Sequence, residues 1–160
     1  MNKIMGGIIS LIIWYLPAVF VQIISGLITV NSMNPWYIGL EKGCWTPPSW
    51  VFGPTWAVLY IMMSISVWMV YLAKATRLQY RSAYLLFFTQ LLANGLWSLL
   101  FFGLHMPGWA LVDLFILIIL VFITAVYFFS IRQLAGLFLL PYLLWIIYAF
   151  YLNAAIWWLN

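Results

Sequence analysis

The chain has 160 residues, 68% hydrophobic and 21% aromatic, and its six basic and two acidic residues give a formal charge of +4. A water-soluble domain needs a charge-rich surface, so this composition excludes one and makes lipid the main solvent. The charges are too few and too scattered for a nucleic-acid surface. One cysteine, Cys44, excludes an intramolecular disulfide, and with the single His105 it makes a metal site a poor reading.

Five apolar segments follow in chain order, and together they predict an all-α integral membrane protein, a single five-helix bundle over residues 1–160. The first span covers about 5–30. It follows Lys3 as a signal peptide would, but it is long enough to cross a bilayer and no convincing small-x-small cleavage site follows, so it reads as an uncleaved span. The others cover about 47–73, 82–104, 108–131 and 134–158. Each exceeds the roughly 20 residues that a bilayer core demands. No period-two alternation with polar lumen positions supports a barrel.

The first connection, 31–46, is the longest, and loops of that length are often functional. Its Asn34, Pro35, Trp36, Tyr37, Gly39, Glu41, Lys42 and Gly43 point to a folded segment. Thr46 reads as the N-cap of the second helix, with Pro47 at its first position and Pro54 bending it near its start. In that helix Trp56, Tyr60, Met63 and Tyr71 share a face. Lys3, Lys74, Arg77, Arg81 and Arg132 fall on one side of the membrane, against Lys42 beside Glu41 on the other. The positive-inside rule then places the N-terminus in the cytoplasm, if the membrane is a plasma membrane.

Polar groups inside spans mark helix contacts or a cavity. In the third span Gln90, Asn94, Trp97 and Ser98 form one stripe. The two amides either tie helices together or offer hydrogen bonds to a ligand. Gly95 and Gly103 lie on one side of the same helix and permit close packing. In the fourth span Asp113 sits near the start, where the helix dipole favours a carboxylate and the interface offers water. Pro141 should bend the fifth helix, on the face that also carries Trp145, Tyr148 and Leu152. Trp157 and Trp158 read as interfacial anchors. Trp56 and Trp145 each lie about a turn from a proline, and gaps between bent helices suit flat apolar ligands. No hydrolytic constellation or phosphate-binding glycine loop is present.

Four sequence elements then stand out together. They are WTPPSW at 45–50, GPTWAVLY at 53–60, NGLWSLLFF at 94–102 and PYLLW at 141–145. Their order and spacing resemble the translocator protein family, also called the tryptophan-rich sensory proteins or peripheral-type benzodiazepine receptors (TspO/MBR). The resemblance runs through almost the whole chain. It implies a five-helix bundle, commonly a homodimer, with a cavity capped by the first loop. It implies a receptor that binds porphyrins such as protoporphyrin IX, with no required cofactor, and that also takes isoquinoline carboxamide and benzodiazepine-type ligands. Carried over by motif, the ligand residues would be Trp36, Tyr37, Trp56, Gln90, Asn94 and Trp145. Transport of porphyrins or lipids is an alternative function. So is light-dependent porphyrin breakdown, with Trp56 and Trp145 as the candidate catalytic residues. Tyr148 and Tyr151 lack the following basic residue of the animal sterol pattern, which speaks against sterol binding there and for a bacterial porphyrin-binding member.

Overall fold

The computed structural model describes residues 3–160, with side chains from Met5 onward. The described residues form six α-helices: α1 Lys3–Ser32, α2 Phe52–Tyr71, α3 Arg77–Ser98, α4 Pro107–Ile131, α5 Gln133–Leu137 and α6 Leu140–Leu159. Five helical runs are long and apolar enough to cross a membrane, α5 and α6 together making the fifth. The outward faces are almost wholly leucine, isoleucine, valine and phenylalanine, as expected of a lipid-facing surface.

Several expected boundaries are corrected. The first helix does not stop near residue 30. It runs to Ser32 and continues through a π-helical turn, Met33–Tyr37, kinked where Asn34 takes an extended conformation. Pro35 causes that kink, because the residue before a proline is pushed out of the α region. Thr46 and Pro47 do not start α2. A single 3₁₀ turn, Ser49–Val51, leads into α2 at Phe52. The same steric rule explains it: Thr46 precedes Pro47, and Pro47 precedes Pro48, so both are disfavoured in helical geometry. Pro54 therefore falls in the first turn of α2, where a missing N–H breaks no intrahelical bond, rather than bending it further in. Pro141 likewise sits in the first turn of α6. The fifth span is interrupted before it, at Phe138–Leu139, and not bent through it.

The cationic end is well defined. Thr76 caps α3 in a reciprocal capping box with Gln79. Lys74, Arg77, Arg81 and Arg132 are exposed there. The opposite end carries exposed Trp45, Trp50, Trp109, Trp157 and Trp158, an aromatic girdle of the kind that sits at headgroup depth. At the cationic end α1 packs on α2 and α3: Trp68 Nε1 donates to Ser10 Oγ at 2.9 Å, and Trp14 meets Tyr71 and Tyr84. Tyr71 thus points to this cluster and is half-exposed, away from the buried Tyr60 and Met63. Gly95 and Gly103 do permit close packing, and the helix they admit is α1: a Cβ on them would approach Val21 at 3.2 Å and Ile28 at 3.4 Å.

The connection between α1 and α2 is a strap laid along α6. Glu41 N–H donates to Asn160 Oδ1 at 3.0 Å, and Asn160 Nδ2 donates back to the Glu41 carbonyl at 3.1 Å. Gly43 lies against Ala155 and Tyr151, and the Tyr148 hydroxyl donates to the Trp45 carbonyl at 2.5 Å. Lys42 folds back, its Nζ 4.8 Å above the Tyr37 ring and bonded to the Ile38 and Leu40 carbonyls. These contacts fold the segment against α6 and the Tyr37 turn, as its composition predicts.

Candidate functional site

A cavity of about 380 Å³ opens inside the girdle end of the bundle. Its walls come from four helices. α1 supplies Gln22, Ser25, Gly26 and Thr29, and α2 supplies Phe52, Gly53, Trp56 and Tyr60. α3 and the π-helical turn Leu99–Gly103 that ends it supply Asn94, Trp97, Ser98, Phe101 and Phe102. α6 supplies Ala149, Leu152, Asn153 and Ile156, and Met33 and Tyr37 close the top. The lining is mostly apolar with a few polar groups, which is the usual character of a small-molecule pocket.

The polar stripe of α3 faces inward throughout: Gln90, Asn94, Trp97 and Ser98 are all buried. Asn94 is its hub. The Tyr60 hydroxyl donates to Asn94 Oδ1, and Asn94 Nδ2 donates to the Tyr142 hydroxyl at 3.0 Å. The amide thus joins α2, α3 and α6 while lining the cavity, so both roles open to it at the sequence level are compatible. A second knot closes the α3–α6 wall. Trp97 Nε1 donates to Asn153 Oδ1 at 3.1 Å, and Asn153 Nδ2 donates to the Pro107 carbonyl at 2.8 Å.

Of the six sequence-derived ligand residues, the structure puts Tyr37, Trp56 and Asn94 on the cavity surface. The other three pack behind or beside it. Gln90 lies one turn below Asn94, fully buried, with Nε2 3.9 Å from the Met63 sulfur. Trp145 stands behind Trp56, edge to face at 6.5 Å, and also meets Phe52 and Tyr148; its Nε1 is buried without a partner. Trp36 stacks on His105 at 4.1 Å and on the edges of Phe101 and Phe102. It braces the turn above α3. Asp113 lies near the start of α4, as expected, but is buried in the bundle rather than open to solvent, one carboxyl oxygen without a partner.

The wall that sequence reasoning missed is α1. Gln22, Ser25 and Thr29 fall at i, i+3 and i+7, and they are the polar residues of an otherwise apolar stretch. The stripe logic applied to α3 would have found them.

Fold and site together define a multi-pass helical membrane protein with an aromatic-walled cavity inside its bundle. The sequence model of the TspO/MBR family matches residues 13–159. Over 162 aligned residues the chain is 42% identical to the tryptophan-rich protein TspO of Archaeoglobus fulgidus, covering 96% of this chain and 99% of that protein. It is 40% identical to protein CrtK of Rhodobacter capsulatus, covering 82% of each chain. It is 37% identical to the human translocator protein, covering 76% of this chain and 73% of that one. The chain belongs to the TspO/MBR family.

Proposed function

We propose that the protein is a membrane receptor that holds porphyrins, and other flat hydrophobic molecules, in the cavity beneath Met33 and Tyr37. The observation that carries the reading is Trp56. Its indole lies on the cavity wall, within a nest of Tyr60, Trp97, Tyr142 and Trp145 rings. Flat aromatic walls reward a flat ligand with offset and edge contacts beyond simple area burial. Asn94 and Ser25 add hydrogen-bonding capacity at the same surface, Ser25 Oγ being buried without a partner.

Protoporphyrin IX titrated into the protein in nanodiscs should quench tryptophan emission saturably. Trp56→Phe should weaken binding about tenfold, as expected for losing one well-packed aromatic contact worth roughly 1.4 kcal/mol. Trp145→Phe acts from behind the wall and should weaken it less. Quenching that is unchanged in both variants would remove this pocket from consideration. The Trp56–Trp145 contact also favours light-dependent breakdown as a second reading, and illuminating the same samples tests it through loss of the porphyrin absorption band.

Orientation belongs to the same proposal: the cationic end faces the cytoplasm and the strap faces out. Cys44, exposed on the strap, should react in intact cells with a membrane-impermeant maleimide. Labelling only after lysis would reverse the assignment.

A further inference from the structure

The cavity is sealed on three sides. Between α1 and α3 the seal is Val21 on Gly95, Ile28 on Gly103, and the Ser32 hydroxyl donating to the Phe102 carbonyl at 2.5 Å. Between α3 and α6 it is the Trp97–Asn153 hydrogen bond. Between α2 and α6 it is Trp145, packed on Phe52 and Trp56. The remaining side lies between α1 and α2. Those helices touch at the cationic end, through Trp68 with Ser10 and Trp14 with Tyr71. At the girdle end they do not close. Gly26 and Val30 of α1, and Ser49, Trp50 and Gly53 at the start of α2, line the cavity and are exposed.

The glycines decide how this gap is read. A glycine at a helix crossing normally lets backbones approach, as Gly95 does here. A Cβ built on Gly26 or Gly53 would instead meet nothing within 4 Å. Neither glycine lies at a tight crossing; both border open space, a slot beside the cavity. Gly26 lies six residues below Ser32, roughly 9 Å further from the girdle end along α1, so the slot reaches into hydrocarbon depth. Its exposed rim of Gly26, Val30, Ser49, Trp50 and Gly53 is uncharged.

We propose that the slot is a lateral port. Hydrophobic ligands reach the cavity from the leaflet on the strap side, and an acyl chain of that leaflet fills the port when no ligand is bound. The absence of any charge on the rim and the lipid that must surround it both select an acyl chain over a peptide or a water column. The inference extends the proposed binding role, and its primary test needs no porphyrin.

The protein is reconstituted in lipids brominated along one acyl chain, which quench tryptophan on contact. The emission difference between wild type and Trp56→Phe isolates Trp56. Bromolipid should quench that component by about half or more, because Trp56 lines the space the chain would occupy. Gly26→Leu with Gly53→Leu should restore it to its level in unbrominated lipid. Gly7→Leu, also in open space but far from the slot, should restore nothing. Trp56 emission that bromolipid leaves unchanged, or that stays quenched in the plugged variant, overturns the proposal. A Cβ at either position meets nothing within 4 Å, so the backbone has room for both side chains, and a melting temperature close to that of wild type checks that the plugged variant is folded. A second arm follows protoporphyrin IX loaded into the bilayer: plugging should slow uptake about tenfold, and uptake as fast as in wild type would count against entry by this route. A wild-type protein that fails to bind porphyrin would remove the receptor role and leave the bromolipid result to decide the port.

Discussion

Gly136→Ala is expected to destabilise the bundle by about 3 kcal/mol, at the upper end of what one buried methyl group does to a packed core. The chain leaves α4 at Ile131, turns through extended Arg132, and lays α5 back against α4. Gly136 makes that contact. A Cβ there would lie 2.5 Å from the Phe129 Cβ, 2.6 Å from the Ala125 carbonyl oxygen and 2.8 Å from the Phe129 Cα. Two of these atoms are backbone and cannot rotate aside as a side-chain tip can. Relief requires α5 to lift from α4. That movement would strain the Ser66 hydroxyl's bond to the Ala135 carbonyl, 2.6 Å long, which ties α5 to α2. Thermal unfolding in detergent is the measurement, with Gly39→Ala, which meets nothing within 4 Å, as the control. Equal melting temperatures for the two variants would show that the contact is not tight.

Asn94→Leu should cost a similar amount, about 3 kcal/mol, for a different reason. The substitution fits by size but strands two hydroxyls, those of Tyr60 and Tyr142, 2% and 0% exposed. Hydrogen bonds between membrane helices are individually modest, averaging about 0.6 kcal/mol in double-mutant cycles. Lost attraction alone would therefore give a small effect. The larger one comes from leaving buried polar groups without partners, each worth roughly 1–3 kcal/mol. The two explanations separate cleanly. If orphaned hydroxyls dominate, adding Tyr60→Phe and Tyr142→Phe to Asn94→Leu should recover much of the lost stability. A triple variant less stable than Asn94→Leu would mean that the bonds themselves carry the energy. Under the proposed porphyrin-binding role, the triple variant should bind porphyrin less tightly than wild type, because Asn94 faces the cavity.

The five spans, the cationic end and the inward stripe of α3 were all legible in the sequence. Each rests on a local pattern: a long apolar run, a charge count, a helical period. What failed were readings that treated one residue's preference alone. Thr46–Pro47 has the makings of a helix start until Pro48 is weighed with it. Pro141 bends a helix only if a helix precedes it, and Phe138–Leu139 break the chain first. The site was half legible. Trp56 and Asn94 reach the cavity because each follows its helix's inward face. Trp36, Gln90 and Trp145 are set one layer back by neighbours far along the chain, His105, Met63 and Phe52, and no local rule specifies those meetings.

The strap has a consequence for the order of assembly. Its anchors, Tyr148, Tyr151, Ala155 and Asn160, all lie on α6 or its C-terminal cap, which leave the ribosome after the other five described helices. So do Ala149, Leu152 and Asn153, which complete the cavity. Until α6 is in place, the segment between α1 and α2 has nothing to lie on and the pocket lacks a wall. The nascent protein therefore cannot capture its ligand early. Ligand capture would mark a bundle with α6 in place, and a ligand present during synthesis would act on that closing step.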